Sequence, residues 1–236
     1  MKKTMNPKSM TESGKIRTPF RLLLMVLLSA LAAGLGYAVS TLSSQSPGSG
    51  EWVAANLETS GVSNPVTAVL LNFRSYDTLL EMGVLLVALL GVWSLGGIPE
   101  QRESSPGPVL DTLSRLLVPV LILVAGYLLW VGAHAPGGAF QAGSVLGAAG
   151  VLLLLAGWRL DARFAGLPLR ITLTTGLGVF VVVGAVLMLV GRRLLEYPPS
   201  FAGALILLIE AAATLSIGMT LAALFLGSRP EAGPDR

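Results

Sequence analysis

Residues 130–143 read WVGAHAPGGAFQAG, from Trp130 to Gly143. The stretch holds His134, the single histidine of the chain, in a short Gly/Pro-rich link between two strongly apolar runs. Apolar runs of about 18 residues or more are long enough to cross about 30 Å of hydrocarbon as helices. So short a link forces the two runs into an antiparallel pair, and the fold follows from asking how many such runs the chain contains.

Composition sets the solvent. The chain has 236 residues, 53% hydrophobic and 12% charged, with a mean hydropathy of +0.74. Soluble domains carry about 25% charged residues, so half that value leaves too little polar surface for a water-facing globule. The expected fold class is all-α, a polytopic membrane protein with six transmembrane helices. The net charge of +3 does not indicate nucleic acid as a partner, because no basic patch is interleaved with aromatics. There is no cysteine, which excludes disulfides and thiolate metal sites.

Outward from the link, the expected spans are about 20–42, 76–95, 109–132, 139–157, 169–190 and 201–227. The fourth is short and its start is set by the Pro-Gly-Gly link, so a re-entrant segment is its alternative. Between the first two lies a polar stretch, 43–63, that reads as a disordered linker. An amphipathic piece from Asn64 to Phe73 follows. Asn64 is suited to cap it and Pro65 to begin it, and Val66, Val69, Leu70 and Phe73 fall on one helical face.

Six of the sixteen basic residues lie in the first 21 positions. With the N-terminus in the cytoplasm, 13 of the 16 fall on the inner side, and only Arg74, Arg192 and Arg193 lie outside. By the positive-inside rule both termini are cytoplasmic, and the cell inner (plasma) membrane is the expected location. The first span also carries a signal-peptide-like "AVS" at Ala38–Ser40. Its apolar run is longer than a typical h-region, so an uncleaved span is expected.

Three ionisable groups stand where lipid or its interface is expected. Asp77 and Glu81 are four residues apart on one helix face. Asp77 also suits a helix N-terminus as a plain charge favouring the dipole, whereas Glu81 lies about a turn deeper in an otherwise apolar run. Glu210 interrupts the last span, nine residues from its expected start, which is about 13 Å at 1.5 Å per residue. Acidic groups inside a span cost about 2.5–3.5 kcal/mol on insertion scales and are functional-site candidates. The competing reading is a neutral Glu in an interhelical hydrogen bond. His134 could relay protons or brace its turn, and alone it cannot build a zinc site. Gly143 and Gly147 with Ala139, Ala142 and Gly150 form a small-residue face for close helix packing, and Gly176, Gly178 and Gly184 are expected to do likewise. Asp111 and Arg115 read as an i,i+4 ion pair. No catalytic constellation, metal site or cofactor motif is found, so no enzyme activity and no cofactor are expected.

The link resembles the G-H-x-x-P-G-G-G-F signature of the MnhB domain, which is the B-type component of Mrp-type sodium/proton antiporters. Gly132, His134, Pro136, Gly137, Gly138 and Phe140 match it in kind. The residue between Gly132 and His134 shifts the spacing by one, and Ala139 replaces a third glycine. The segment from Asn64 to Leu95 is similar to the C-terminal part of the large, A-type component of these antiporters. The same module also occurs as the small, E-type component of membrane-bound hydrogenases. Phe73, Arg74, Asp77, Thr78 and Glu81 fit that pattern. The resemblance implies a basic cytoplasmic tail (1–19), a two-helix module (20–97), a cytoplasmic linker (98–108), a four-helix MnhB-like domain (109–227) and a cytoplasmic tail (228–236). It further implies a non-catalytic membrane subunit whose partners are the other components of an antiporter complex and whose cargo is a sodium ion or proton. Asp77 and Glu81 are then expected to line an ion path. Glu210 joins that expectation on its depth alone, and His134 stands as either a proton-handling or a turn-bracing group.

Overall fold

The computed structural model describes residues 18–41, 49–95, 107–158 and 166–227, and among them all regular structure is helical. The expected tails and the linker fall mostly outside these residues, as do Arg102, Arg159, Arg163, Arg229 and Arg236 of the charge-bias argument. Compactness divides the chain into two units, 1–48 and 49–236. In the first, α1 (Thr18–Thr41) is a 24-residue helix. The Ser40 and Thr41 hydroxyls close its last turn by donating back to the Gly36 and Tyr37 carbonyls.

The second unit begins with α2 (Ser49–Asn56) and a 3₁₀ turn, Leu57–Ser60. This corrects the expectation of a disordered linker over residues 49–63. Polar composition suggested a solvated segment, but tertiary partners satisfy its polar groups. Ser60 is fully buried, its hydroxyl donates to the Leu57 and Val62 carbonyls, and Asn72 donates to the Ser60 carbonyl at 2.9 Å. Residues 43–48 of that stretch lie outside the described residues.

Next comes α3 (Pro65–Ala68), which passes into a π-helical turn, Val69–Phe73. Asn64 caps α3 as expected, its side chain accepting from the Val66 N–H at 3.1 Å. The expected apolar face is not the buried one. Thr67, Ala68 and Leu71 face inward, while Val66 and Phe73 are exposed. Two causes act together. The Thr67 hydroxyl is drawn inward to the Gly132 carbonyl at 2.6 Å, and in lipid an apolar side chain loses little by facing outward.

The long apolar helices of this unit are α4 (Ser75–Leu95), α5 (Pro108–Val131), α7 (Leu167–Leu189) and α8 (Ala202–Gly227), with the shorter α6 (Ala139–Leu155) between α5 and α7 in the chain. With α1, five helices are long and apolar enough to cross a membrane, while α6, the sixth apolar helix, has only 17 residues. All six expected spans are therefore helical, and the fourth is the short one. The centre of the unit is α8, which packs against α4, α5, α6 and α7 and is apolar nearly all round, as a buried helix must be.

The small-residue faces account for the close packing. A methyl group on Gly143 would lie 2.7 Å from Ile217 Cβ, and one on Gly147 would lie 3.0 Å from Leu221 Cβ, so α6 meets α8 nearly backbone to backbone. Gly176 meets Met82 and Ser216, and Gly184 meets Leu194. Gly178 does not share this role, since no heavy atom lies within 4 Å of its would-be Cβ. A polar clip adds to the α7–α8 contact, where the Ser216 hydroxyl donates to the Leu173 carbonyl.

Candidate functional site: a buried carboxyl at a helix start

The 132–138 link is built against its neighbours from both sides. At its start, the His134 and Ala135 N–H groups bond back to the Val131 carbonyl, and the Gly138 N–H bonds to the Leu128 carbonyl at 2.9 Å. So tight a reversal brings Gly132 against Gly138: a methyl group on Gly132 would sit 2.6 Å from the Gly138 nitrogen. Gly138 itself has φ +102°, a conformation open to glycine at little cost.

The segment before α3 then clamps the link. The Ser63 and Asn64 N–H groups both donate to the Ala133 carbonyl. The Asn64 side-chain amide donates to the Gly132 carbonyl at 3.0 Å and to the Ala135 carbonyl at 2.8 Å. Along the chain, Asn64 is a helix cap. Its second role, satisfying carbonyls some 70 positions away, had no local signal.

The product of this scaffolding is the start of α6. Gly138 caps α6 without a side-chain bond, so its first N–H groups need an acceptor from elsewhere. Glu210 supplies one, accepting from the Ala139 N–H. The Glu210 side chain is 2% exposed. Its Oε1 lies where a methyl group on Gly138 would come within 2.7 Å, so a side chain at position 138 would collide with the carboxylate. Its Oε2 is buried with no hydrogen-bond partner among the described residues. Glu210 lies eight residues into α8, about 12 Å along the axis, so α6 begins well inside the bundle. This explains why the fourth span is short.

A cavity of about 30 Å³ adjoins the carboxyl, bounded by Thr67 and Thr78, by Gly138 and Gln141, and by apolar side chains including Phe180 and Ile209. The wall is mostly apolar, but the space is large enough for one water molecule, with Glu210, Thr67 and Thr78 as polar neighbours. Thr78 belongs to the signature read in the sequence, and the structure brings it to the same cavity as Gly137, Gly138, Phe140 and Glu210. Its hydroxyl also donates to the Leu70 carbonyl, which pins the π-helical turn. Such turns recur at functional sites.

The other candidates lie elsewhere. Asp77 sits in the first turn of α4 and pairs with Arg74. Both side chains are substantially exposed, so the pair contributes little to stability. Glu81 is exposed on the outer face of α4 and does not line the Glu210 cavity. His134 and Pro136 are exposed. Among the described residues no side-chain hydrogen bond involves the imidazole, and the polar side chains that brace the link are those of Ser63, Asn64 and Thr67. Asp111 and Arg115 pair at 3.0 Å as expected. One other buried polar atom lacks a partner among the described residues, the hydroxyl of Tyr197. It lies in the 190–201 loop, where burial pushes the phenol above its usual range.

Comparison with known proteins adds to this geometry. Residues 109–227 match the family model described as a domain related to the MnhB subunit of Na+/H+ antiporter, and residues 16–100 match the MbhE model, which describes the E-type component of MBH. Two solved structures share the fold. One is the membrane-bound sulfane sulfur reductase, an archaeal respiratory membrane complex, with 23% identity and a TM-score of 0.66, covering 88% of this chain and 97% of that one. The other is the Mrp complex from Dietzia sp. DQ12-45-1b, with 22% identity and a TM-score of 0.64. There the match covers 94% of this chain but 27% of its counterpart, so the chain corresponds to about a quarter of that longer one. A comparison with curated proteins found no match.

Proposed function

The chain belongs to the family of domains related to the MnhB subunit of Na+/H+ antiporters, and from that premise we propose that it is a membrane subunit of a multi-subunit Mrp-type cation (sodium)/proton antiporter complex, contributing carboxylates to an ion path at subunit interfaces. It sits in the cell inner membrane with both termini in the cytoplasm and is non-catalytic. The observation that carries the reading is Glu210, a carboxyl buried deep in the central helix with one oxygen unpartnered among the described residues. A group so costly to bury is kept for binding or transfer rather than for packing. Asp77 and Glu81 stand on the outer side of α4, where they receive a sodium ion or proton from a neighbouring protein of the complex or from water. Glu210 extends the route inward, and Thr78 stands on α4 between the two regions.

Glu81→Gln and Glu210→Gln, each placed in the intact complex, test this. Cation/proton exchange should be lost while native gels show an assembled complex. Unimpaired exchange in either variant removes that residue from the path. One observation favours a second reading, in which the chain is a structural assembly subunit of an antiporter-related complex such as a membrane-bound hydrogenase. Glu81 is exposed on the outer face of α4, and it is not among the residues that line the cavity at the buried Glu210. On that reading the same variants disrupt assembly rather than flux.

A further inference from the structure

We propose that the Glu210 cavity is a proton site that does not take sodium, with Glu210 as its one exchanging group. This deepens the path reading above, on which its functional meaning rests.

The geometry argues for a proton in three steps. First, one carboxylate oxygen is engaged by the start of α6 while the other, Oε2, is buried and unpartnered among the described residues, and Glu210 lines a water-sized space. A proton can therefore be received on the carboxyl from a water molecule in that space and returned to it, with one O–H bond formed and one broken each way and no heavy atom displaced.

Second, the wall is wrong for a metal ion. A hard cation takes several oxygen ligands. Beside Oε2 the side-chain oxygens of the inner wall are the hydroxyls of Thr67 and Thr78, and the Thr67 hydroxyl already accepts from Asn64 and donates to the Gly132 carbonyl. Gln141, an exposed residue on the first turn of α6, adds one amide oxygen on the Gly138 side, and the rest of the wall is largely apolar, which leaves fewer oxygens than a hard cation takes. Among the described residues no group of three acidic, histidine or cysteine side chains could hold a metal. The positive end of the α6 dipole also points at the site, which favours a carboxylate and opposes a cation.

Third, both states of Glu210 are supported. The α6 N-terminus stabilises the anion, and burial without a paired cation stabilises the acid. No other ionisable residue lines the cavity. On α4, Asp77 is paired with Arg74 and Glu81 is on the exposed side. On α5, Asp111 and Arg115 pair with each other near the opposite end of the helix, and on α7 Arg170 likewise lies far from the link. The imidazole of His134 is exposed.

Infrared difference spectroscopy on the full chain in lipid nanodiscs tests the inference, with the proton and sodium ion themselves as probes. A protonated-carboxyl band should fade as pH rises, be lost in Glu210→Gln, and keep the same pH midpoint in sodium chloride as in choline chloride. A midpoint that moves with sodium makes this a cation site and overturns the inference. So does a titrating band that survives Glu210→Gln. If that variant does not accumulate, Glu210→Asp retains a carboxyl and should displace the band, and an unchanged band overturns the assignment. Antiport by the Glu210→Gln complex is read separately. Unimpaired exchange with the expected band takes Glu210 out of the path while the proton site itself stands.

Discussion

At the scale of single residues, Asn64 has the largest consequence for its size. Its carbonyl oxygen caps α3, while its amide N–H group serves two carbonyls of the 132–138 link. The two functions separate by substitution. Asn64→Asp keeps an acceptor for the Val66 N–H but turns an oxygen toward the Gly132 and Ala135 carbonyls. Asn64→Ala loses both functions and introduces no repulsion. Asn64→Ala leaves the Ala135 carbonyl without this donor, while the Gly132 carbonyl keeps the Thr67 hydroxyl; an unsatisfied carbonyl costs about 1–3 kcal/mol when buried, and a loss at the lower end of that range is expected. Asn64→Asp should lose more, because it adds a buried charge without a partner. Thermal unfolding in detergent would rank the two. Asp equal to wild type would mean that the cap alone matters and that the clamp on the link does not.

At the scale of elements, the helices were legible and their mutual depth was not. Long apolar runs marked all six, because a span must satisfy its backbone internally and shows its length in the sequence. The late start of α6 depends on Glu210 reaching the Ala139 N–H across 71 positions, and no local pattern encodes such a contact. The same limit explains the amphipathic segment before α4. Its apolar face was visible in Val66, Leu70 and Phe73, yet the polar Thr67 turned inward to a distant carbonyl. Of the site, Glu210 and Thr78 were legible as residues, and their meeting in one cavity was not. Glycine spacing was half informative, and a paired substitution shows why. Gly143→Ala places a methyl group 2.7 Å from Ile217 and should destabilise the α6–α8 contact by about 1–3 kcal/mol through overpacking. Gly178→Ala meets open space and should be neutral or slightly stabilising in the isolated chain, since alanine favours a helix over glycine by about 0.5–1 kcal/mol. Equal unfolding temperatures for the two variants would contradict the observed packing.

At the scale of the whole molecule, the unit 49–236 leaves one face of α4 in an unusual state. Leu80, Val84 and Val87 are each about two-thirds exposed there, and Glu81 is exposed beside Leu80. An apolar stripe alone is content in lipid, but a carboxyl about 9 Å along the helix from its start, at 1.5 Å per residue, is not. On the proposed function that face meets another protein of the complex, whose polar or cationic groups or trapped water receive Glu81. The absence of native cysteine makes the test clean, because an introduced thiol is unique in the chain. Leu80→Cys and Val84→Cys, each carrying a photoactivatable thiol reagent, should crosslink to a neighbouring protein in the assembled complex and yield no such product in the isolated chain. Adding Glu81→Gln should leave the crosslink in place if the residue serves ion passage, and should abolish it if the carboxyl is what holds the two proteins together. Crosslinks to lipid alone in the assembled complex would show that the face is bare, and Glu81 would then have no partner through which to conduct.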